Sequence, residues 1–308
     1  MVNHFPVVGV IGAGHDCRLM VAPAIALGVD LIFFAGDHND PAAQIAKHVV
    51  GDFKDLDAIK AFAKRCDVVI ISQESVPLSS IRALEAQGVS VRPSSATLTK
   101  ISQFALVNEP ESPLRISVVV ARSPHAQACA WTPTQIFGQV GVSMRTETPA
   151  LGISDALASK VQKLALECAQ EISLIGVMCL EVNIQGTEPH VRSIAFGPHE
   201  FGLWTIEGSR TSQCEQHLRA VLDLPLGHTS MTHKFASMGI VYPGEKTDMY
   251  RPYLHLMARN PALKIHQYRK GVPLEGALAH VSATGNDLLD LRECVTHAVD
   301  YMSGEIDE

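Results

Sequence analysis

Short apolar runs recur through the first hundred residues, at Val7–Ile11, Leu31–Phe34, Val68–Ile71 and Val89–Val91. Each is long enough for a buried strand and too short for a helix. Between them, Leu56–Lys64 and Leu78–Gln87 carry apolar residues at helical spacing. Strand alternating with helix predicts a doubly wound parallel sheet in an α/β protein. Ser94–Leu106 predicts one further helix, and the breaker-rich Asn108–Pro113 that follows predicts a joint between modules.

Beyond the joint the pattern changes. Ile116–Ala121 and Ala128–Trp131 read as strands. Ser154–Ile172 predicts an amphipathic helix in which Leu157, Val161, Leu164, Ala165, Cys168 and Ile172 share a face behind a Ser154 cap. Gly176–Ile184 and His190–Phe196 read as strands joined by the turn Gln185-Gly186-Thr187, and Thr211–Leu222 as a helix. From about Thr229 a small mixed segment ends in a helix over Asn286–Met302. The pattern divides the chain into a doubly wound domain at 1–108, an α+β domain at 109–228 and a small C-terminal module at 229–308. No internal repeat interrupts it.

Composition narrows the function classes. Hydrophobic residues make up 46% and charged residues 19% of 308, with a net charge of −7, so no basic surface is available for nucleic acid. Phe5–Ile11 has no basic leader and runs into a glycine turn, which reads as a first strand and neither a signal peptide nor a membrane span. Seven scattered cysteines, odd in number and never spaced CxxC, argue against a disulfide framework and a zinc site and for a reducing, cytoplasmic location.

Candidate chemistry begins at the first turn. Val7–Ile11 runs into Gly12-Ala13-Gly14, where glycines let backbone N–H groups approach an anion. Cys17 stands where a dinucleotide fingerprint places its third glycine, while Asp37 follows the second strand at ribose-binding distance in sequence. A nicotinamide site and a ligand-free tight turn are both open on these residues alone. His15 likewise reads either as a donor to a phosphate or as a simple cap. Glu215, His217 and Arg219 read as helix surface or packing groups. His190 and His199 near Glu181 raise a transition-metal site, although chance proximity is common with 14 histidines in the chain.

Several segments in order, among them VGVIGAGHDCRLM at 8–20, GDFKDLDAIKAFAKRCDVV at 51–69, ISVVVARSP at 116–124, GVMCLEVNI at 176–184, WTIEG at 204–208 and SQCEQHLRAVLDLPL at 212–226, resemble carboxyaminoimidazole ribonucleotide synthetase, the ATP-grasp ligase of purine biosynthesis. The resemblance implies a doubly wound domain followed by an ATP-grasp domain, ATP and magnesium as cofactors, and a small phosphorylated nucleotide as ligand. It also implies a homodimer or association with an intact paralogue, with no nucleic acid or membrane partner. Carried over residue by residue, it assigns substrate binding to Gly12, Gly14, His15, Arg18, Glu74 and His280, and a metal-ligand position to Glu181.

Departures from the family pattern bear on chemistry. His15 and Asp16 replace a glutamine and a leucine, and Ser72 replaces the first of two acids after the third strand, leaving Glu74. Ser193 replaces the second metal-binding glutamate and Arg192 an asparagine. Gly276 and Ala277 stand where an arginine and a lysine meet the substrate phosphate. Between Gln103 and Arg115 the family inserts a small module with a glycine-rich flap and phosphate-binding lysines. The expectation is therefore a truncated ATP-grasp domain, weak or inactive as a ligase, in which Glu181 pairs with Arg192. Any remaining ligand is expected near Gly12–His15 and Glu74. Retained activity with a partner supplying the clamp, and a non-catalytic regulatory subunit, are the alternatives.

Overall fold

The computed structural model describes residues 5–104, 114–244, 248, 250–269 and 276–307. Its first sheet contains β1 (Val7–Ile11), β2 (Asp30–Ala35), β3 (His48–Val50), β4 (Val68–Ile71) and β5 (Ser90–Arg92) in the order 3-2-1-4-5. Every pairing in it is parallel. Helices α1 (His15–Leu19), α2 (Val21–Leu27), α3 (Leu56–Ala63), α4 (Leu78–Glu85) and α5 (Ser95–Gln103) connect and flank these strands. Val8, Val10, Phe33 and Ile70 pack one face, whereas Ile11, Phe34, Val69 and Ile71 pack the other. Burial on both faces is why the strands read as unbroken apolar runs. Helix ends follow local chemistry: Asp55 and Ser94 accept backbone N–H bonds at the starts of α3 and α5.

The second sheet has nine strands: β6 (Arg115–Arg122), β7 (Ala128–Ala130), β8 (Thr134–Gln139), β9 (Ser143–Thr148), β10 (Gly176–Gln185), β11 (Glu188–Phe196), β12 (Phe235–Val241), β13 (Lys264–Gln267) and β14 (Ala279–Gly285). Its order is 11-10-6-8-9-12-14-13, with β7 also paired to β6. Helix α6 (Asp155–Glu171), capped by Ser154, lays Leu157, Val161, Ala165 and Cys168 on Val118, Val120, Met178 and Leu180. Helix α10 (Leu288–Ser303) covers Val241, Val281 and Ala283. The segment from Thr229 therefore does not form a sheet of its own: β12 pairs directly with β9 and extends the sheet of the middle segment.

Helices α7 (Thr205–Gly208), α8 (Gln213–Val221) and α9 (Arg251–Arg259) complete the fold. Ser212 caps α8 through the Glu215 N–H. Cys214, Leu218 and Val221 then enter the apolar cluster of β1 and β2, and burying each aliphatic side chain contributes roughly 2 kcal/mol. Beside them on α8 is His217, whose Nδ1 accepts the Val177 N–H at 3.0 Å. One short helix thus cements the two sheets together.

Strand β5 lies one residue later than the apolar run suggests, and α4 ends at Glu85. Strand β3 and the hairpin β8–β9 were not legible as strands in the sequence. The breaker-rich Asn108–Pro113 and residues 105–106 of the expected fifth helix lie outside the described residues. Every cysteine is a free thiol. Among the described residues no helix is long and apolar enough to cross a membrane.

Candidate functional site

Two polar clusters line the region where the first turn meets the second sheet. At the turn, Gly12 has φ +128°, and a Cβ there would lie 3.2 Å from Ser72, so only glycine lets β1 pass β4 so closely. Gly14 precedes α1. Within α1, Asp16 accepts a hydrogen bond from the Ser72 hydroxyl at 2.5 Å, so the turn has a carboxylate of its own beside the strand position that lacks one. Asp37 accepts the N–H of Asn39 at 2.7 Å and is spent on its own turn.

His15 stacks on Tyr268, with ring centroids 4.5 Å apart, and its Nε2 lies 3.8 Å from Glu200. The Tyr268 hydroxyl meets His280 Nδ1 at 3.0 Å. His280 is fully buried on β14, stacks on His266 at 4.4 Å, and leaves Nε2 without a hydrogen-bond partner. His266 Nε2 contacts Glu207 at 2.8 Å, and Glu207 accepts from Ser282. Burial, reinforced by the charges of His266 and His15, pushes the His280 pKa well below its ordinary value. Burial also raises Glu200, with His15 opposing and Asp16 reinforcing the shift.

These placements sort the sequence candidates. His15 and His280 meet through Tyr268, while Gly12 lies against Ser72 and Gly14 against Asp16. Arg18 is bonded to the backbone: Nε donates to Gln267 O at 3.2 Å and Nη1 to Pro41 O at 3.0 Å, tying the turn to β13. Glu74 is exposed in the loop after β4. Beside the turn stand the Asp16 and Glu200 side chains, and α1 has only five residues. Tyr268, His266 and Glu207 were not singled out in the sequence because nothing in their local pattern marks them; long-range contacts assemble them.

The second cluster surrounds Glu181 on β10, which is 7% exposed. Arg115 Nε donates to Glu181 Oε1 at 2.6 Å, and Arg192 Nε lies 3.9 Å from the same oxygen. Directly opposite on β11 stands Ser193, whose hydroxyl donates to Oε2 at 3.4 Å. The register shifts between Glu181 and Val182, so Arg192 sits in a bulge, a device that re-aims a side chain. Arg192 is thus beside Glu181 as the sequence predicts, but Arg115 is the closer partner. A magnesium ion does not fit this donor set, because the single carboxylate is already engaged by guanidinium groups and faces a hydroxyl.

His199 lies between the clusters and feels both: burial lowers its pKa to about 4, opposed by Glu181 and Asp16 and reinforced by His15. Its Nδ1 accepts the Phe201 N–H at 3.3 Å. Among the described residues, His190 and His199 are not part of any group of three metal-ligating side chains.

Comparison with known proteins bears on this architecture. The model for the ribonucleotide synthetase preATP-grasp domain matches residues 5–103, and that for the ATP-grasp domain matches residues 101–214. N5-carboxyaminoimidazole ribonucleotide synthase of Mycobacterium bovis is 29% identical over 97% of this chain and 88% of its own length. The Corynebacterium ammoniagenes synthase is 28% identical over 98% and 93%. The chain is similar to these synthases along nearly its whole length.

The fold agrees. The crystal structure of the Thermus thermophilus synthetase superposes with a TM-score of 0.85 at 23% identity, covering 98% of this chain and 99% of that one. The Aspergillus clavatus synthase, solved in complex with ADP and aminoimidazole ribonucleotide, gives 0.86 at 21% identity, with coverage of 98% and 99%. The preATP-grasp and ATP-grasp models match consecutive stretches of the chain, so the loss of the central ATP-grasp module that the resemblance suggested finds no support in the family match.

Proposed function

We propose that this homologue retains the synthetase scaffold in a shortened form but is weak or inactive as an ATP-dependent ligase. The observation that carries the reading is the Arg115–Glu181–Arg192 arrangement facing Ser193. Phosphoryl transfer depends on cations placed against phosphate oxygens, and a carboxylate neutralised by arginines does not place one. Shortening is supported by the alignment with the Mycobacterium bovis synthase, which spans 379 positions against 308 residues here, leaving at least 71 without a counterpart. The segment where we place the shortening, 105–113, lies outside the described residues. In this reading the chain acts as a binding or regulatory subunit, as a homodimer or beside an intact paralogue.

Retained carboxylation of aminoimidazole ribonucleotide is the second reading, favoured by full-length homology and the ATP-grasp match over 101–214. It calls for a partner that completes the nucleotide clamp. One assay separates the two: ADP formation by the purified protein with Mg-ATP and bicarbonate, with and without aminoimidazole ribonucleotide. No ribonucleotide-dependent ADP is expected. Turnover by the chain alone overturns the proposal, and turnover only in a stable hetero-complex supports the second reading.

A further inference from the structure

A cavity of about 410 Å³ opens between β9, β12 and the last turn of α10. Gly239 and Arg145, paired across β12 and β9, face it: a Cβ on Gly239 would lie 2.7 Å from Val299 on α10, and Arg145 reaches Thr296. His280 pairs with Ile240, the next residue along β12, and so faces the other side of the sheet. The cavity shares no residue with the two clusters described above.

Its lining is divided by charge. At one side stands Arg145, whose guanidinium lies 5.1 Å from the centre of the Phe137 ring and donates through Nη1 to Thr296 at 3.1 Å. Its position is therefore set from two directions. Nε lies 3.4 Å from Glu147 but is buried without a hydrogen bond, while both Glu147 oxygens are taken by Arg292. A guanidinium has five N–H donors, and among the described residues Arg145 uses only the one to Thr296.

At the other side α10 ends at Gly304, with φ +89° and no basic residue in its last turn. Helix C-termini carry partial negative charge and favour cations, and here Asp300 and Glu305 add two carboxylates to the same wall. Among the described residues neither carboxylate has an ion-pair or hydrogen-bond partner. Burial and the Glu305 charge accordingly raise the Asp300 pKa, opposed by His297 and Arg145. Between the two polar sides, Met144, Val295 and Val299 supply an apolar wall.

A simple cation placed here would meet Arg145, and a simple anion would meet two carboxylates. A zwitterion satisfies both sides at once, with its ammonium toward Asp300 and Glu305, its carboxylate toward the spare Arg145 donors and its hydrocarbon body on the valines. We propose that this cavity binds a free α-amino acid with an apolar side chain. The inference goes beyond the proposed function and stands apart from it, because its test reads binding and not turnover.

The test titrates the purified full chain calorimetrically with L-leucine and with two molecules that each keep one of its charges, isoamylamine and isocaproate, taking the thermal midpoint as a second readout. L-leucine is expected to bind and to raise the midpoint, and each single-charge analogue to bind at least about tenfold more weakly. Asp300→Asn is expected to weaken leucine binding about tenfold without lowering the midpoint of the unliganded chain, since the carboxylate makes no bond there. Arg145→Lys, which keeps the charge but loses the planar fork, is expected to weaken leucine by a similar factor and to leave isoamylamine affinity unchanged. No response to leucine overturns the proposal. So does isoamylamine or isocaproate binding as tightly as leucine, which would make the cavity a plain cation or anion site, and so does leucine binding that Asp300→Asn leaves untouched, which would place the ligand elsewhere.

Discussion

His217 offers a direct test of how burial controls this molecule. Its ring lies against Gly176, where a Cβ would come within 2.8 Å of it, and its Nδ1 accepts the Val177 N–H. With Nδ1 accepting, the proton of the neutral ring is on Nε2, which is buried without a partner. Protonation would force a second N–H against the Val177 donor in a buried site. Burial accordingly brings the His217 pKa down from 6.5 to about 4. In the unfolded chain the imidazole titrates normally, so between those values the unfolded state binds the additional proton. The stability this histidine contributes is fully present above pH 6.5 and is lost as pH falls toward 4. The full loss amounts to about 3 kcal/mol, of which roughly 2 kcal/mol has gone by about pH 5. His217→Asn keeps an acceptor near the Nδ1 position and removes the titration. Urea unfolding at about pH 7 and about pH 5 should show a smaller drop in stability for this variant than for the parent, by roughly 2 kcal/mol. Equal drops would mean that His217 does not carry the acid sensitivity, and the burial argument would be wrong.

Two further sets of substitutions probe charges that hold the fold. Glu147, 3% exposed, takes a bidentate pair of bonds from Arg292 at 2.8 and 2.9 Å and lies 3.4 Å from Arg145; Glu147→Ala should lower stability by about 3 kcal/mol in thermal unfolding, and Arg292→Ala by less, because Arg145 still accompanies the carboxylate. Arg18→Met should cost about 2 kcal/mol by the same measurement, through loss of the bonds to Gln267 and Pro41; an unchanged thermal midpoint would show that these bonds do not hold the turn to β13.

Legibility in the sequence followed burial and range. Strands β1, β2 and β4 were visible because parallel strands covered on both faces leave continuous apolar runs, and α6 because Ser154 and a clean helical stripe mark it. The β8–β9 hairpin was not, since Thr134, Gly138, Thr146 and Thr148 share the face of Ile136 and Met144 and dilute its apolar signal, and its second edge is completed by β12, far later in the chain. Homology segments located Glu181, its neighbour Arg192 and His280, but not Arg115, Tyr268 or His266. Arg115 stands at the start of β6, and only the antiparallel register that sets it across from Asn183 brings its side chain to Glu181. Tyr268 and Glu207 reach the His280 cluster in the same way, from segments distant in sequence.

The pairing of β9 with β12 also bears on how the protein is made. As the chain leaves the ribosome, β6 to β11 can assemble while β9 still presents an open row of backbone donors and acceptors, a template for pairing with another chain. That edge is covered only when β12 emerges, and β12 in turn is covered by β14. A premature stop anywhere between Thr148 and Phe235 would therefore release a fragment with a ready aggregation edge, whereas one within α10 would leave every strand paired.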